Sequence, residues 1–340
     1  MSGAGVAPGA GPTLVVSLNG SRGAADGSAV PMSPEDLVDA ALAAVAAGAR
    51  EVLVHPRTPC GRESLSPRVV GPLLEALRDA GLGAGGRVRG GPGSGGGVAL
   101  SVAVSVGTEQ DHAGRLARVR SWTVLPDRAV VRFAEPGARE LAEALLERGV
   151  AVDAEVAVGG VAVDAQDAVR GPAVNAGVTA GGLAMGAGVT AGGLAMGAGV
   201  TVGGLAVGAE APVRGPAAGA EHAMGGPAVG AGGGGVGSLA RFLAWPVRDP
   251  ARVRLVAELA CADPGPVAEL LRRLPPVPVL LFGREEAAWP ALRLAVRYGA
   301  GARIGVGDVL HLPDGRAARS NAELVAAAAR AREVTTAGSR

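Results

Sequence analysis

The sequence contains no lysine and has very few cysteines and aromatic residues. The 32 basic residues are all arginine, 31 acidic residues balance them to a net charge of +1, and aromatics make up 2% of the 340 residues. Nucleic-acid-binding proteins usually carry a basic excess, so this balance argues against that class. Two cysteines, Cys60 and Cys261, cannot form a disulfide framework, and they favour a cytoplasmic location.

One long stretch lacks charge altogether. No charged residue occurs from 171 to 209, where GVTAGGLAMGA is repeated twice and followed by GVTVGGLAVGA. Uncharged apolar runs of about 20 residues can span a membrane. However, each repeat carries four glycines, and a glycine disfavours a helix by about 1 kcal/mol relative to alanine. We therefore expect no membrane association and interpret 159–237 as a disordered, low-complexity insertion. Residues 1–12 and 334–340 are expected to be flexible tails without a targeting signal.

Outside the insertion, short apolar runs alternate with segments typical of helices. Ser33-Pro34-Glu35-Asp36 shows the pattern of a helix start, with a hydroxyl cap, a proline in the first turn and acids near the positive end of the helix dipole. The fifth run is not followed by a clear helix. Eight runs are predicted to be strands: Thr13–Leu18, Glu51–His55, Val98–Val106, Ala129–Phe133, Val150–Val156, Val253–Glu258, Val277–Phe282 and Ala302–Val306.

This alternation predicts a parallel sheet, and eight repeats predict a (β/α)8 TIM barrel. The barrel would consist of 13–158, with strands one to five, and 238–333, with strands six to eight. Without the insertion the chain has roughly 260 residues, close to the usual barrel length of about 250. A doubly wound open sheet is the alternative, but no G-x-G-x-x-G motif indicates a dinucleotide site.

Polar residues lie at or just beyond the ends of these predicted strands, where a barrel places its active site. The candidates are Asn19 and Gly20, His55, Ser105 and Gly107, Asp153, Arg303 and Asp308.

Several motifs resemble those of the β-keto acid cleavage enzymes. They are LNGSR, AVPMSPEDL, VLVHPRTPCGRESLSP, LPDRAVVRFAEPGA and REEAAWPALRLAVRYGAGARIGVGD, within 13–156 and 240–330. The resemblance implies a TIM barrel that holds one divalent metal, usually zinc. It also implies acyl exchange, in which a β-keto acid and acetyl-CoA give acetoacetate and a new CoA ester. The expected partners are these small molecules and further copies of the chain in a homo-oligomer.

The resemblance also assigns roles to individual residues. Arg303, Asp308, Ser105 and Asp153 would be catalytic, with Asp153 at a strand-five position that is normally Glu. Asn19, Gly20 and Gly107 would bind substrate, and His55 would bind the metal. Simpler roles remain open: a structural ion pair for Arg303 and Asp308, a helix cap for Ser105, and a hydrogen-bonded core position for His55.

Two of the family's three metal ligands are missing from this sequence. The family has His-x-His on strand two, where this chain has Leu53-Val54-His55. The family has Glu on strand eight, where this chain has Gly307. Neither Leu53 nor Gly307 can coordinate zinc through a side chain. The alternative function is therefore an impaired or inactive homologue with a binding or scaffold role. We expect Leu53 and His55 to share one strand face, and Gly307 to face them from strand eight.

Overall fold

The computed structural model describes residues 12–85, 97–158 and 237–337, apart from positions 106, 108, 248 and 262. The predicted insertion at 159–237 therefore lies outside the described residues except for Gly237. Eight parallel strands form a closed barrel in chain order, and β1 pairs with both β2 and β8. The strands are β1 Leu14–Ser17, β2 Glu51–Val54, β3 Ala99–Val104, β4 Arg128–Arg132, β5 Ala151–Val158, β6 Val253–Leu259, β7 Val279–Phe282 and β8 Gly301–Ile304. The predicted TIM barrel is confirmed, and closure excludes the open sheet.

Helices follow the strands on the outside of the barrel. They are α1 Pro34–Ala46, α2 Pro67–Asp79, α3 His112–Arg120, α4 Ala138–Glu147, α5 Ser238–Leu243, α6 Pro264–Arg273, α7 Ala288–Arg297 and α8 Asn321–Ala337. The predicted cap of α1 is present, because the Ser33 hydroxyl accepts a hydrogen bond from the Asp36 backbone N–H and the Asp36 carboxylate accepts one from the Ser33 N–H.

Helix α5 corrects the expectation that the fifth strand lacks a clear helix. It has only six residues, too few to show a helical period in the sequence. Aromatic packing holds it on the barrel: the Phe242 and Phe133 ring centroids lie 5.6 Å apart in an edge-to-face arrangement, and Trp245 packs against both rings.

Apolar side chains separate two charged layers inside the barrel. The lower layer, towards the strand N termini, joins Glu51, Asp153 and Arg254. The middle layer is a separate apolar cluster of Val15, Leu53, Ala103, Val130, Val256, Leu280 and Phe282. The upper layer lies at the strand C termini and contains Glu155 and Arg303. Between strands and helices, a larger apolar core supports the barrel from outside. Within the described ranges, the structure has no helix that is both long and apolar enough to cross a membrane.

Candidate active site

A small cavity opens at the C-terminal ends of the strands. Its enclosed volume is about 10 Å³, about enough for one water molecule, and the empty space in and above it amounts to about 300 Å³ and is continuous with solvent. Predicted and unpredicted residues line it together: Ser17, Leu53, His55, Ala103, Ser105, Val130, Arg132, Glu155, Arg284, Arg303 and Asp308. Four of the predicted site residues therefore meet here, namely His55, Ser105, Arg303 and Asp308.

Arg303 is the centre of a buried charge cluster. Its Nε and Nη2 donate to the two carboxylate oxygens of Asp308 at 3.1 and 2.9 Å, and its Nη1 donates to Glu155 Oε2 at 3.0 Å. The guanidinium carbon lies 3.3 Å from the centre of the Phe282 ring, which gives a cation–π contact. The predicted Arg303–Asp308 pair is thus part of a larger assembly that fixes Glu155 as well.

Two further arginines surround the cavity on its more exposed side. Arg132 Nε donates to Glu155 Oε1 at 2.7 Å, and Arg284 Nε donates to Glu258 Oε1 at 2.8 Å. The Arg132 and Arg284 side chains are 36% and 33% exposed. Burial alone would raise the pKa of Glu155, but Arg132 and Arg303 outweigh it and lower that pKa to about 2. Glu155 is therefore a carboxylate throughout the physiological range.

Two hydrogen bonds to its backbone hold His55 in place, and one nitrogen of its ring has no hydrogen-bond partner. The Asn19 side-chain amide accepts from the His55 N–H and donates to the His55 carbonyl, both at 3.0 Å. The Nδ1 atom of His55 is buried and has no hydrogen-bond partner. Burial is the largest cause that lowers the pKa of His55 to about 3, and the positive charges of Arg303, Arg132 and Arg284 lower it further. The ring is therefore neutral above that pH.

Asp153 and Glu155 take different layers of the barrel, although both lie on β5. Asp153 accepts from Arg128 Nε at 2.9 Å and from Arg254 Nε at 3.0 Å, in the lower layer. Glu155, two residues nearer the strand end, lines the cavity with Arg303. Asp153 therefore does not line the cavity of His55, Ser105 and Asp308, although it lines a smaller cavity below it together with Leu53 and Arg303. The Asp-x-Glu spacing of β5 shows that Asp153 and Glu155 share the inward face of the strand. Only the register with the neighbouring strands shows which of them is level with the cavity.

The remaining predicted residues form the rim of the site. Ser105 is 6% exposed and lines the cavity. The cap of α3 is Asp111, which accepts from the Ala113 and Gly114 N–H groups, so the helix-cap role for Ser105 is wrong. Gly107 is exposed in the turn after β3. Gly20 follows β1 with φ +55, a conformation that favours glycine.

The side chains around the cavity do not fit a zinc ion. Leu53 lines the cavity beside His55, as predicted, and offers no ligand atom. Both oxygens of Glu155 and both of Asp308 already accept hydrogen bonds from arginines, so these carboxylates are not free to bind a divalent cation. No group of three or more His, Cys, Asp or Glu in the described parts of the chain could hold a metal. Catalytic zinc usually requires three protein ligands.

Gly307 lies beside this cavity but has no room for a side chain. A Cβ atom there would overlap the Ser17 hydroxyl and approach the Gly20 nitrogen to 2.7 Å. The sequence predicts that Gly307 faces Leu53 and His55 from strand eight; the residue lies beyond the end of β8, and a side chain there would run into the backbone after β1.

Comparison with known proteins supports one family. The model of the family described as beta-keto acid cleavage enzyme matches residues 13–195 and 247–337. Comparison with curated proteins gave no significant match. Among solved structures, octameric ribulose-1,5-bisphosphate carboxylase/oxygenase from Pyrococcus horikoshii OT3 has 13% identity and a TM-score of 0.41, over 95% of this chain and 60% of that one. The chain thus spans three fifths of that relative's length. Tryptophan synthase from M. tuberculosis has 14% identity and a TM-score of 0.39, over 95% and 92%.

Proposed function

The chain belongs to the beta-keto acid cleavage enzyme family, and we propose that it binds a small β-keto acid at the strand ends without zinc-dependent acyl exchange. One observation carries this proposal: Leu53 packs in the cavity beside His55, and every carboxylate oxygen of Glu155 and Asp308 is engaged by arginine. The site thus offers one imidazole where zinc catalysis needs three ligands.

Arginines supply the chemistry for recognising an acid. Arg132 and Arg284 each donate to a carboxylate through Nε and stay about one third exposed. A guanidinium carries five N–H groups, so each has donors beyond Nε for a ligand carboxylate. The Arg303 guanidinium already donates to Asp308 and Glu155, so it holds these two carboxylates in place at the bottom of the site.

Acyl exchange between a β-keto acid and acetyl-CoA is the second candidate. The observation that favours it is the Glu155–Arg303–Asp308 cluster, which lies beside Ser105 at the strand ends. A zinc-free route would depend on these groups alone. Asp308 and Glu155 would position Arg303, and Arg303 would stabilise negative charge on the keto acid.

We also propose a homo-oligomer, and light scattering that gave a 33.1 kDa particle would contradict it.

Calorimetric titration with acetoacetate and longer 3-oxo acids tests the binding proposal. Arg132→Met should weaken binding about tenfold or more, because a charge-assisted hydrogen bond is lost. Arg316→Met is the matched control, since Arg316 is an exposed arginine paired with Asp314. Equal binding by Arg132→Met and wild type, or no binding by wild type, would refute the proposal.

Metal content and turnover decide between the two candidates. The purified protein is expected to contain no stoichiometric zinc and to form no CoA ester from acetyl-CoA and any 3-oxo acid, with or without added zinc. CoA-ester formation by the purified protein would establish acyl exchange instead.

A further inference from the structure

The loop after β2 holds a concentration of unpartnered buried polar atoms. Among the described residues, four buried side-chain nitrogen or oxygen atoms have no hydrogen-bond partner, and three of them belong to His55, Arg57 and Glu63. An unpartnered buried polar group is costly, so its partner is usually a water or a ligand. The cluster lies next to the cavity, since His55 lines it.

Glu63 is the acidic member of this cluster and is placed at the rim. Its side chain is 8% exposed, and Oε1 lies 3.7 Å from Arg57 Nη2, while Oε2 has no partner. A Cβ atom at Gly107 would lie 3.3 Å from Glu63 Oε2 and 3.8 Å from Ser105 Oγ. The absence of a side chain at the exposed Gly107 therefore leaves a position from which one small group can reach both Glu63 and Ser105.

The unpartnered oxygen needs a hydrogen-bond donor, and the surrounding charges determine which kind. Arg57 lies 3.7 Å from the same carboxylate, and the cavity wall carries three arginines against two carboxylates, Glu155 and Asp308. These cations would repel an ammonium group, whereas a neutral hydroxyl meets no such penalty. Burial raises the pKa of Glu63, although the charge of Arg57 and a hydrogen bond with the Ser21 side chain lower it in part, and a ligand hydroxyl at Oε2 would offset the burial further by stabilising the carboxylate.

We propose that Glu63 determines specificity by accepting a hydrogen bond from a ligand hydroxyl through Oε2. The ligand class is thus a small β-keto acid that carries a hydroxyl group away from its carboxylate. This inference rests on the proposed acid binding at the same site. Arg132 and Arg284 would bind the carboxylate, and Glu63 would select the substituent.

Matched ligand pairs test the role of Glu63. Calorimetry at pH 8 would compare 3-oxopentanoate with 5-hydroxy-3-oxopentanoate, and 3-oxohexanoate with 6-hydroxy-3-oxohexanoate. Wild type should bind the hydroxylated member of at least one pair about tenfold more tightly, because its hydroxyl donates a hydrogen bond to a charged carboxylate. Glu63→Met should bring that ratio close to one, and Glu63→Gln should reduce it.

Two further variants separate recognition from folding. Gly107→Ala leaves the Arg57–Glu63 pair intact but places a methyl group 3.3 Å from Oε2, so it should also abolish the preference. Glu109→Gln removes a carboxylate from the same β3–α3 connection, and this variant should keep the preference for the hydroxylated ligand. A purely structural role for Glu63 would weaken both members of a pair equally and leave the ratio unchanged.

The outcomes distinguish this inference from the proposed function. If no 3-oxo acid of either kind binds, the acid site itself is wrong. If the acids bind but wild type shows no preference for any hydroxylated member, Glu63 Oε2 contacts only water and the inference is overturned. A wild-type preference that survives in Glu63→Met and Gly107→Ala would also overturn it.

Discussion

Gly20 and Gly307 pack backbone against backbone where the turn after β1 meets the turn after β8. A Cβ atom at Gly20 would lie 2.7 Å from the Gly307 carbonyl oxygen, and one at Gly307 would lie 2.7 Å from the Gly20 nitrogen. Real Cβ atoms do not approach backbone so closely, so each glycine requires the other. This contact closes the rim between the first and last strands and excludes a carboxylate ligand at position 307.

Restoring the family's metal ligands should therefore fail unless the rim is opened. Leu53→His with Gly307→Glu should bind zinc no better than wild type, and it should be less stable by about 1–3 kcal/mol because the rim is overpacked. Adding Ser17→Ala removes the hydroxyl that overlaps position 307, and it should recover part of the stability. Zinc competition with a chelator and chemical denaturation provide the two measurements.

A glycine substitution elsewhere provides the control for overpacking. A Cβ atom at Gly23 would have nothing within 4 Å, and the backbone there is extended at φ −118. Gly23→Ala should change stability by less than about 0.5 kcal/mol. If Gly307→Ala were as stable as Gly23→Ala, the turns after β1 and β8 would separate readily. The repaired metal site would then be feasible.

Arg303 should be the most sensitive charged position of the upper layer. Arg303→Met leaves the buried carboxylates of Asp308 and Glu155 without their shared partner, so the free energy of unfolding should fall by about 3–5 kcal/mol. Arg303→Lys should recover little, because an ammonium group cannot reproduce the bidentate contact with Asp308. The exposed Arg316 makes a pair of similar length with Asp314, and Arg316→Met should cost less than about 1 kcal/mol. If Arg303→Met and Arg316→Met lowered the free energy of unfolding equally, Arg303 would not hold a buried charge cluster together.

The neutral His55 should make the protein sensitive to mild acid. Its pKa falls from the ordinary value of 6.5 to about 3 in the folded protein. Between these values the unfolded chain binds a proton that the folded chain does not, so the stability present above pH 6.5 is lost as the pH falls towards 3. At pH 5 this amounts to about 2 kcal/mol relative to pH 8.

Urea unfolding at pH 8 and pH 5 measures this effect. His55→Gln should lose about 2 kcal/mol less than wild type between the two pH values. His112 is exposed at the start of α3, so His112→Gln should behave as wild type does. If wild type and His55→Gln lost the same stability, His55 would take up its proton in the folded state.

The sequence predicts the fold better than it predicts the site. Alternating strands and helices are local patterns, and the capping pair Ser33 and Asp36 marks a helix start without any knowledge of tertiary contacts. The site depends instead on register. Glu155 reaches Arg303 while Asp153 lies in the lower layer, and which of these two β5 residues is level with the cavity is known only once the neighbouring strands are aligned. The contact between Gly20 and Gly307 is a similar case, because it joins residues from opposite ends of the chain.

The last prediction concerns removal of the segment between β5 and α5. The described residues on its two sides are adjacent, since the Ala157 N–H donates to the Ser238 hydroxyl at 3.0 Å. A linker of about four residues can therefore replace 159–236 without moving β5 or α5. The replacement halves the length of the connection roughly four times. Each halving lowers the entropic cost of closing the loop by about 0.6 kcal/mol. The shortened protein should be as stable as the full chain, or more stable by up to about 2.5 kcal/mol.

Denaturation of the two proteins side by side measures the effect of this deletion. The comparison should include Ser238→Ala in both backgrounds, which removes the hydroxyl that receives the Ala157 N–H and should cost each protein about 1 kcal/mol. Binding of 3-oxo acids should be unchanged by the deletion, because the described residues that line the cavity lie on the barrel strands and directly after them. A deletion variant that lost several kcal/mol or lost acid binding would show that the segment contributes to the folded barrel or to its site.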